Sequence, residues 1–334
     1  MKISYSTVPQ NLKVTNGYGY AGYNLILTLK ELGHEVPYQD PSAPVEIAFC
    51  QPIIRPNWSN PDAFHIQYTP WESTELPLGW LEEFNEGCDE VWATSELVAK
   101  WYRDAGVTTP IRVFEHGITK NWHPAPPQTP RLDNDFVFLH HGSPAPRKNA
   151  QGVVDAFLQM KNEGYDNIKL VLKAQRHTEA RIKDRDGNIL GTVDEHPDIT
   201  IVTDMMDEDD LIDFYRSVDC MVYPSYGEGF GFIPLQAMAT GIPTITVGAW
   251  APYHEYILPE LYLPYEYVES DWRAHPGKVM KPDFNYLVSS MKYAVDHKED
   301  VKERTMTRVE PLRRRFDWKA LTSEAFQTVV ETYG

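Results

Sequence analysis

Ser225-Tyr226-Gly227-Glu228-Gly229-Phe230-Gly231-Phe232-Ile233-Pro234-Leu235-Gln236-Ala237-Met238-Ala239-Thr240-Gly241-Ile242-Pro243 lies between two short apolar runs, Cys220-Met221-Val222-Tyr223-Pro224 and Thr244-Ile245-Thr246-Val247. Runs of that length bounded by turn residues read as buried strands, so the stretch reads as a glycine loop and a short helix joining two strands. Pro234 suits the first turn of that helix. Glycines 227, 229 and 231 allow positive φ and close backbone approach to a ligand, whose polar oxygens the free N–H groups of the helix start can meet. Glu228 stands at the mouth of the loop. A plain strand-to-helix turn with a solvated glutamate has the same pattern, and this stretch alone leaves both readings open.

The same unit recurs on either side. Residues 136–140 read as a strand, 141–148 as a loop, and Asn149 caps a helix running to about residue 161. Arg147 and Lys148 precede that helix in an otherwise acidic chain, where helix dipole and charge both favour an anion such as a diphosphate. Strands follow at 168–172 and 200–203 and an acid-started helix at 207–216, with 177–197 a polar surface insertion that turns at Asp186-Gly187-Asn188. In the first half, residues 1–5 read as a strand, Asn16-Gly17-Tyr18-Gly19-Tyr20 as a loop, and 21–32 as a helix stopped by Gly33. Further strands are expected at 34–36, 46–50, 64–68, 90–94 and 111–114, and helices at 78–86 and, capped by Ser95, 96–105. His123-Pro124-Ala125-Pro126-Pro127-Gln128-Thr129-Pro130 is the natural linker between the halves. Helices at about 284–297 and 319–333 end the chain, the last long enough to return to the first domain.

The 334 residues suffice for two domains, and the apolar fraction of 42% with 12% aromatics fits a globular protein. The N-terminus lacks the features of a signal peptide and no run approaches the roughly 18 apolar residues of a membrane span, so a cytoplasmic protein is expected. Cys50, Cys88 and Cys220 are far apart without metal-ligand spacing and are expected as free thiols. The net charge of −17 is shared between the halves, with 9 Lys and Arg against 16 Asp and Glu up to residue 134 and 22 against 32 beyond it. Neither half is a basic module for nucleic acid or an anionic membrane.

Two β/α halves joined by a proline linker suggest paired Rossmann-like domains across a cleft. Here the chain resembles the GT-B fold glycosyltransferases of family four, retaining enzymes that use nucleotide sugars. The landmarks run in family order: Asn16-Gly17-Tyr18-Gly19, Trp71-Glu72-Ser73, residues 89–95, Glu115-His116-Gly117-Ile118, Arg147-Lys148-Asn149, and the Glu-x7-Glu motif from Glu228 to Gln236. The resemblance implies an α/β GT-B architecture with an acceptor-side domain at 1–128, a nucleotide-sugar domain at 129–315 and a returning helix at 316–334. It implies that Arg147 and Lys148 neutralise the donor diphosphate, that Glu228 binds donor-sugar hydroxyls, and that His116 lines the cleft floor. Gly17, Gly19, Gly229, Phe230 and Gly231 would approach the donor. Position 236, an acid in the family, would bind the nucleotide ribose; here it is Gln236, and Gln236→Glu is expected to keep or tighten donor binding.

The family implies no metal and no cofactor beyond the UDP- or GDP-sugar co-substrate. The partners expected are the nucleotide sugar and a hydroxyl-bearing acceptor, the latter a soluble glycan or small molecule met on the acceptor side near Tyr68, Trp71 and Glu72. One alternative is a hydroxylated DNA base framed by Tyr18, Tyr20, Trp58, Tyr68, Trp71 and Arg55, nucleic acid then being a partner only as acceptor. Another is a non-catalytic protein that binds sugar nucleotides or glycans.

Overall fold

The structure is a computed structural model and describes residues 1–14, 16–128, 135–174, 180–183 and 189–334. The first half consists of β1 (Ile3–Ser6), α1 (Gly17–Glu31), β2 (Val45–Phe49), β3 (Phe64–Thr69), α2 (Trp80–Glu86), β4 (Glu90–Ala93), α3 (Glu96–Asp104) and β5 (Ile111–Val113). The second half begins with β6 (Phe136–His141), α4 (Ala150–Asn162), β7 (Ile168–Lys173), β8 (Arg181–Lys183), β9 (Ile189–Thr192), β10 (Ile199–Val202) and α5 (Glu208–Arg216). It continues with β11 (Cys220–Tyr223), α6 (Phe232–Ala239), β12 (Thr244–Thr246), β13 (Tyr265–Glu269), β14 (Lys278–Pro282), α7 (Phe284–Asp296), α8 (Lys298–Arg315) and α9 (Trp318–Tyr333).

Each half builds a parallel sheet. The first runs β1-β2-β3-β4-β5, and on the free side of β1 the segment around residues 35–38 adds parallel bridges from Glu35 to Lys2 and from Tyr38 to Tyr5. The strand expected at 34–36 is thus reduced to isolated bridges, because Pro37 has no N–H to continue a ladder. The second sheet runs β10-β7-β6-β11-β12. Its chain order reverses between β6 and β11, and in such sheets ligands bind outside the carboxyl ends of the strands at that reversal. The loops after β6 and β11 hold Arg147 and Lys148 on one side and the glycine stretch on the other.

The C-terminal helix returns as expected. Phe326 and Val329 of α9 are buried with Leu25 and Leu29 of α1 and with Trp92 and Phe114, in the core of the first half. Three elements depart from the sequence reading. Helix α1 begins at Gly17, so the expected loop is the helix's first turn; the Asn16 side chain accepts from Gly19 N at 2.8 Å and outweighs the poor helix propensity of the glycines. Helix α8 was not expected, although its buried Val301, Thr305, Val309 and Leu312 recur at helical spacing within a highly charged segment. The antiparallel hairpin of β13 and β14 was not expected either, although Pro276-Gly277 just before β14 is a turn signal and Gly277 has φ of +78°. The turn expected at 186–188 lies outside the described residues, between the paired β8 and β9.

No helix among the described residues is long and apolar enough to cross a membrane. The described cysteines are free.

Candidate active site

The centre of the site is a cluster of four charges. Glu228 Oε1 accepts from Arg147 Nη1 at 2.9 Å, Lys148 Nζ at 2.6 Å, Tyr223 Oη at 3.0 Å and Ser225 Oγ at 2.6 Å. Arg147 also gives Nη1 to the Gly227 carbonyl at 2.6 Å and Nη2 to Glu72 Oε1 at 3.2 Å. The second oxygen of Glu72 faces His275 Nε2 at 3.2 Å. Glu72 comes from the first half, His275 from the hairpin between β13 and β14, and the rest from the two loops at the sheet reversal. Arg147 Nε is buried and has no partner among the described residues, a donor left over beside the charge cluster.

Charge balance governs protonation here. Burial alone would raise the Glu72 carboxyl, but Arg147 first, then His275 and Lys148, hold it at about 2. Glu228 is likewise held below the usual carboxylate range because Lys148 and Arg147 outweigh its burial. The Lys148 ammonium is pushed down by its own burial, with Arg147 adding to the shift, although Glu228 opposes both. The cluster therefore holds two cations and two carboxylates.

The glycines work differently from the sequence reading. Only Gly231 of the three has positive φ, +84°, and it caps the start of α6. A Cβ on Gly229 would lie 2.3 Å from Pro70 Cβ and 2.8 Å from Trp71 N. Its bareness makes room for the backbone of the first half, and the Thr94 hydroxyl donates to the Gly229 carbonyl. Gly17 faces open space at the start of α1, whereas Gly19 packs against the Lys13 carbonyl.

His116 is buried beside this loop, stacked on Phe232 at 4.8 Å and 6° and edge-on to Phe230 at 4.9 Å. Burial pushes its imidazole down to about 3, so the ring is neutral. Its Nδ1 lies 2.8 Å from Tyr68 Oη, whose proton goes to the Phe114 carbonyl at 2.8 Å. A carbonyl only accepts, so Nδ1 must carry the donated proton and Nε2 is left as an acceptor.

The acceptor-side group is split. Tyr68 is buried under His116, and Trp71 is buried with Nε1 bonded to the Glu75 carbonyl at 2.8 Å and its ring stacked on His275 at 5.4 Å. Neither presents a surface to an acceptor; only Glu72 enters the charge cluster. The aromatic frame suggested for a DNA base is also dispersed. Trp58 lies between His65 at 4.3 Å and Arg55 at 4.1 Å, and the Tyr20 ring packs on Phe232. Gln236 is buried in α6. Sequence reasoning passed over Tyr223, Ser225 and Thr94; Tyr223 ends the strand β11 and Ser225 opens the glycine stretch, which was the available signal. His275 had none.

A cavity of about 570 Å³ lined by Pro124, Pro127, Phe136, Ile242 and Met306, among others, sits at the opposite ends of the strands and contains none of the predicted site residues. No group of three or more metal-ligating side chains occurs among the described residues.

Residues 124–259 match the family model of glycosyl transferases group 1. The capsular polysaccharide biosynthesis glycosyltransferase CapM of Staphylococcus aureus is 28% identical over 115 residues, 34% of this chain and 28% of that protein. The serotype-specific mannosyltransferase WbdA of Escherichia coli is 30% identical over 115 residues, 34% of this chain and 14% of that protein. Each match thus spans under a third of the relative. Similar solved structures include a sucrose-phosphate synthase from Thermosynechococcus elongatus, with TM-score 0.66, 15% identity and coverage of 100% of this chain and 99% of that one. Anabaena HepE in complex with UDP-glucose gives TM-score 0.69 and 14% identity over 99% of this chain and 100% of that one. The fold is GT-B.

Proposed function

We propose, on the premise that residues 124–259 form a glycosyl transferases group 1 domain within a GT-B fold, that this protein moves a sugar from a nucleotide donor to an acceptor hydroxyl with retention. The observation that carries this reading is the meeting of Arg147, Lys148 and Glu228 at the reversal of the second sheet. Negative charge grows on the diphosphate as its bond to the sugar breaks, and preorganised cations lower the energy of that transition state. Arg147 and Lys148 supply the cations. Glu228 is poorly suited to act as nucleophile, because four donors already bind one of its oxygens. The acceptor oxygen attacks the anomeric carbon on the face the diphosphate leaves, and the leaving phosphate takes the acceptor proton. Glu228 orients sugar hydroxyls, and the neutral His116 accepts a hydrogen bond at Nε2.

The donor is a UDP- or GDP-sugar, and the UDP-glucose in the HepE complex makes UDP-sugars the first to test. No cofactor or metal enters the proposed step. Release of nucleoside diphosphate from a panel of UDP- and GDP-sugars is the test, with and without glycan acceptors. Arg147→Ala and Lys148→Ala should each lower release about 10²-fold or more, as loss of a charge-stabilising donor does elsewhere. Undiminished release by the folded variants would reject the assignment. A second reading, sugar-nucleotide binding without transfer, is favoured by Gln236 standing where the family has an acid; binding with no product from any donor would select it.

A further inference from the structure

Phe232 and Gln236 are one turn apart on α6 and share a face. That face meets Tyr20 of α1, whose ring lies edge-on to Phe232 at 5.1 Å and whose hydroxyl is also reached by the Gln236 amide. The same hydroxyl donates to Glu208 Oε1 at 2.8 Å, at the start of α5. Glu208 collects further neutral donors: Trp122 Nε1 at 3.0 Å, Thr119 Oγ1 at 3.4 Å and Asn121 Nδ2 at 3.2 Å. A carboxylate and an amide therefore stand on either side of one phenol, at the edge of the candidate site. Were residue 236 an acid, two carboxylates would compete for the single Tyr20 proton and repel each other.

We propose that the carboxylate function absent at Gln236 has moved to Glu208, which accepts the ribose diol of the nucleotide while Gln236 serves as its neutral partner. The chemistry fits, since a carboxylate ringed by neutral O–H and N–H donors can exchange them for two vicinal sugar hydroxyls. Thr119 is half-buried and Asn121 exposed, so those two donors can yield. The inference rests on the nucleotide-sugar reading above. It also reverses the earlier expectation for Gln236→Glu, because the structure puts a second carboxylate one hydroxyl away.

The test is calorimetry on the full chain with UDP and GDP, each against its 2′-deoxy and 3′-deoxy forms. The wild type should favour the ribonucleotide by about tenfold or more, the scale of one hydrogen bond to a charged group. Glu208→Gln, nearly isosteric, should lose roughly that factor for the ribonucleotide and bind the deoxy forms within about twofold of wild type. Gln236→Glu should weaken binding, and the double variant Glu208→Gln/Gln236→Glu should regain it. Thermal unfolding checks that each variant is folded. Preserved ribose discrimination in Glu208→Gln, with all ligands weakened equally, would make Glu208 a contact between the two halves only and overturn the proposal. Tighter binding by Gln236→Glu alone would overturn it as well. Failure of the wild type to bind either diphosphate is a different result, which removes the nucleotide reading itself.

Discussion

Lys148 and Glu228 are both buried and 2.6 Å apart, so each is the other's main compensation for leaving water. Removing one partner of a buried pair costs about 3–5 kcal/mol, and Arg147 remains beside Glu228 to soften the loss. Lys148→Ala should therefore destabilise the protein by about 3 kcal/mol. The double variant Lys148→Met/Glu228→Gln should lose less than the sum of its single changes, a non-additivity that urea denaturation would read as a double-mutant cycle. Gly229→Ala tests the approach of the two halves. Its new Cβ would meet backbone and Pro70 rather than a flexible side chain. Expected is a loss of about 1–3 kcal/mol in the same denaturation assay. The charged residues of the site were legible because each sits in a short local pattern, Arg-Lys before a capped helix and Glu within glycines. Their pairing was not, since Glu72 reaches Arg147 from the other half. Tyr68 and Trp71 are packed inward, as an aromatic next to a strand end readily is.

Among elements, α9 carries the most testable consequence. Phe326 is 1% exposed and its ring lies edge-on to Trp92 at 4.8 Å and to Phe114 at 6.2 Å. Phe326→Ala should cost about 3–5 kcal/mol in the stability of the first half, measured by denaturant unfolding. A loss under 1 kcal/mol would mean that the returning helix is not part of that core. Most strands and helices were readable because buried parallel strands are continuous apolar runs and the caps Ser95, Asn149, Asp207 and Asp283 announce their helices. Helix α8 was hidden by its charge, its few apolar residues being too sparse to stand out. The β13 and β14 hairpin was passed over despite its Pro276-Gly277 turn, and what ties it to the first half comes from elsewhere: Thr74 N donates to the Lys278 carbonyl at 3.0 Å, and Lys278 N donates back to Thr74 Oγ1 at 2.7 Å. Those partners lie some two hundred residues away in sequence, beyond any local pattern.

At the scale of the molecule, the buried His116 and His140 and the half-buried His141 contribute to the response to acid. Burial is the leading cause that holds His116 at about 3, His140 at about 4 and His141 at about 3, all below the ordinary value of 6.5. The unfolded chain takes up these protons near pH 6.5 while the native protein resists them until about 3–4. Stability is therefore full above about pH 6.5 and falls as pH drops through that window. Glu72, held at about 2 against an ordinary 4.5, adds a loss that begins only below about 4.5. The thermal midpoint should fall between pH 7 and pH 5, and His141→Gln should reduce that fall; a flat profile would show that these rings are not neutral in the fold. The two-domain plan was legible in the repeated strand, loop and helix units. The closed contact between the halves, through Glu72, Thr94, Tyr20 and Glu208, was not, because it depends on the meeting of two sheets. The most direct test of the nucleotide-sugar site is the thermal shift with UDP, GDP and their sugars on the wild type and on Arg147→Ala/Lys148→Ala. One of these ligands, at about one hundred times its dissociation constant, should stabilise the wild type by about 2.7 kcal/mol and leave the variant unshifted. Equal stabilisation of both proteins, or none of the wild type by any of these ligands, would contradict it.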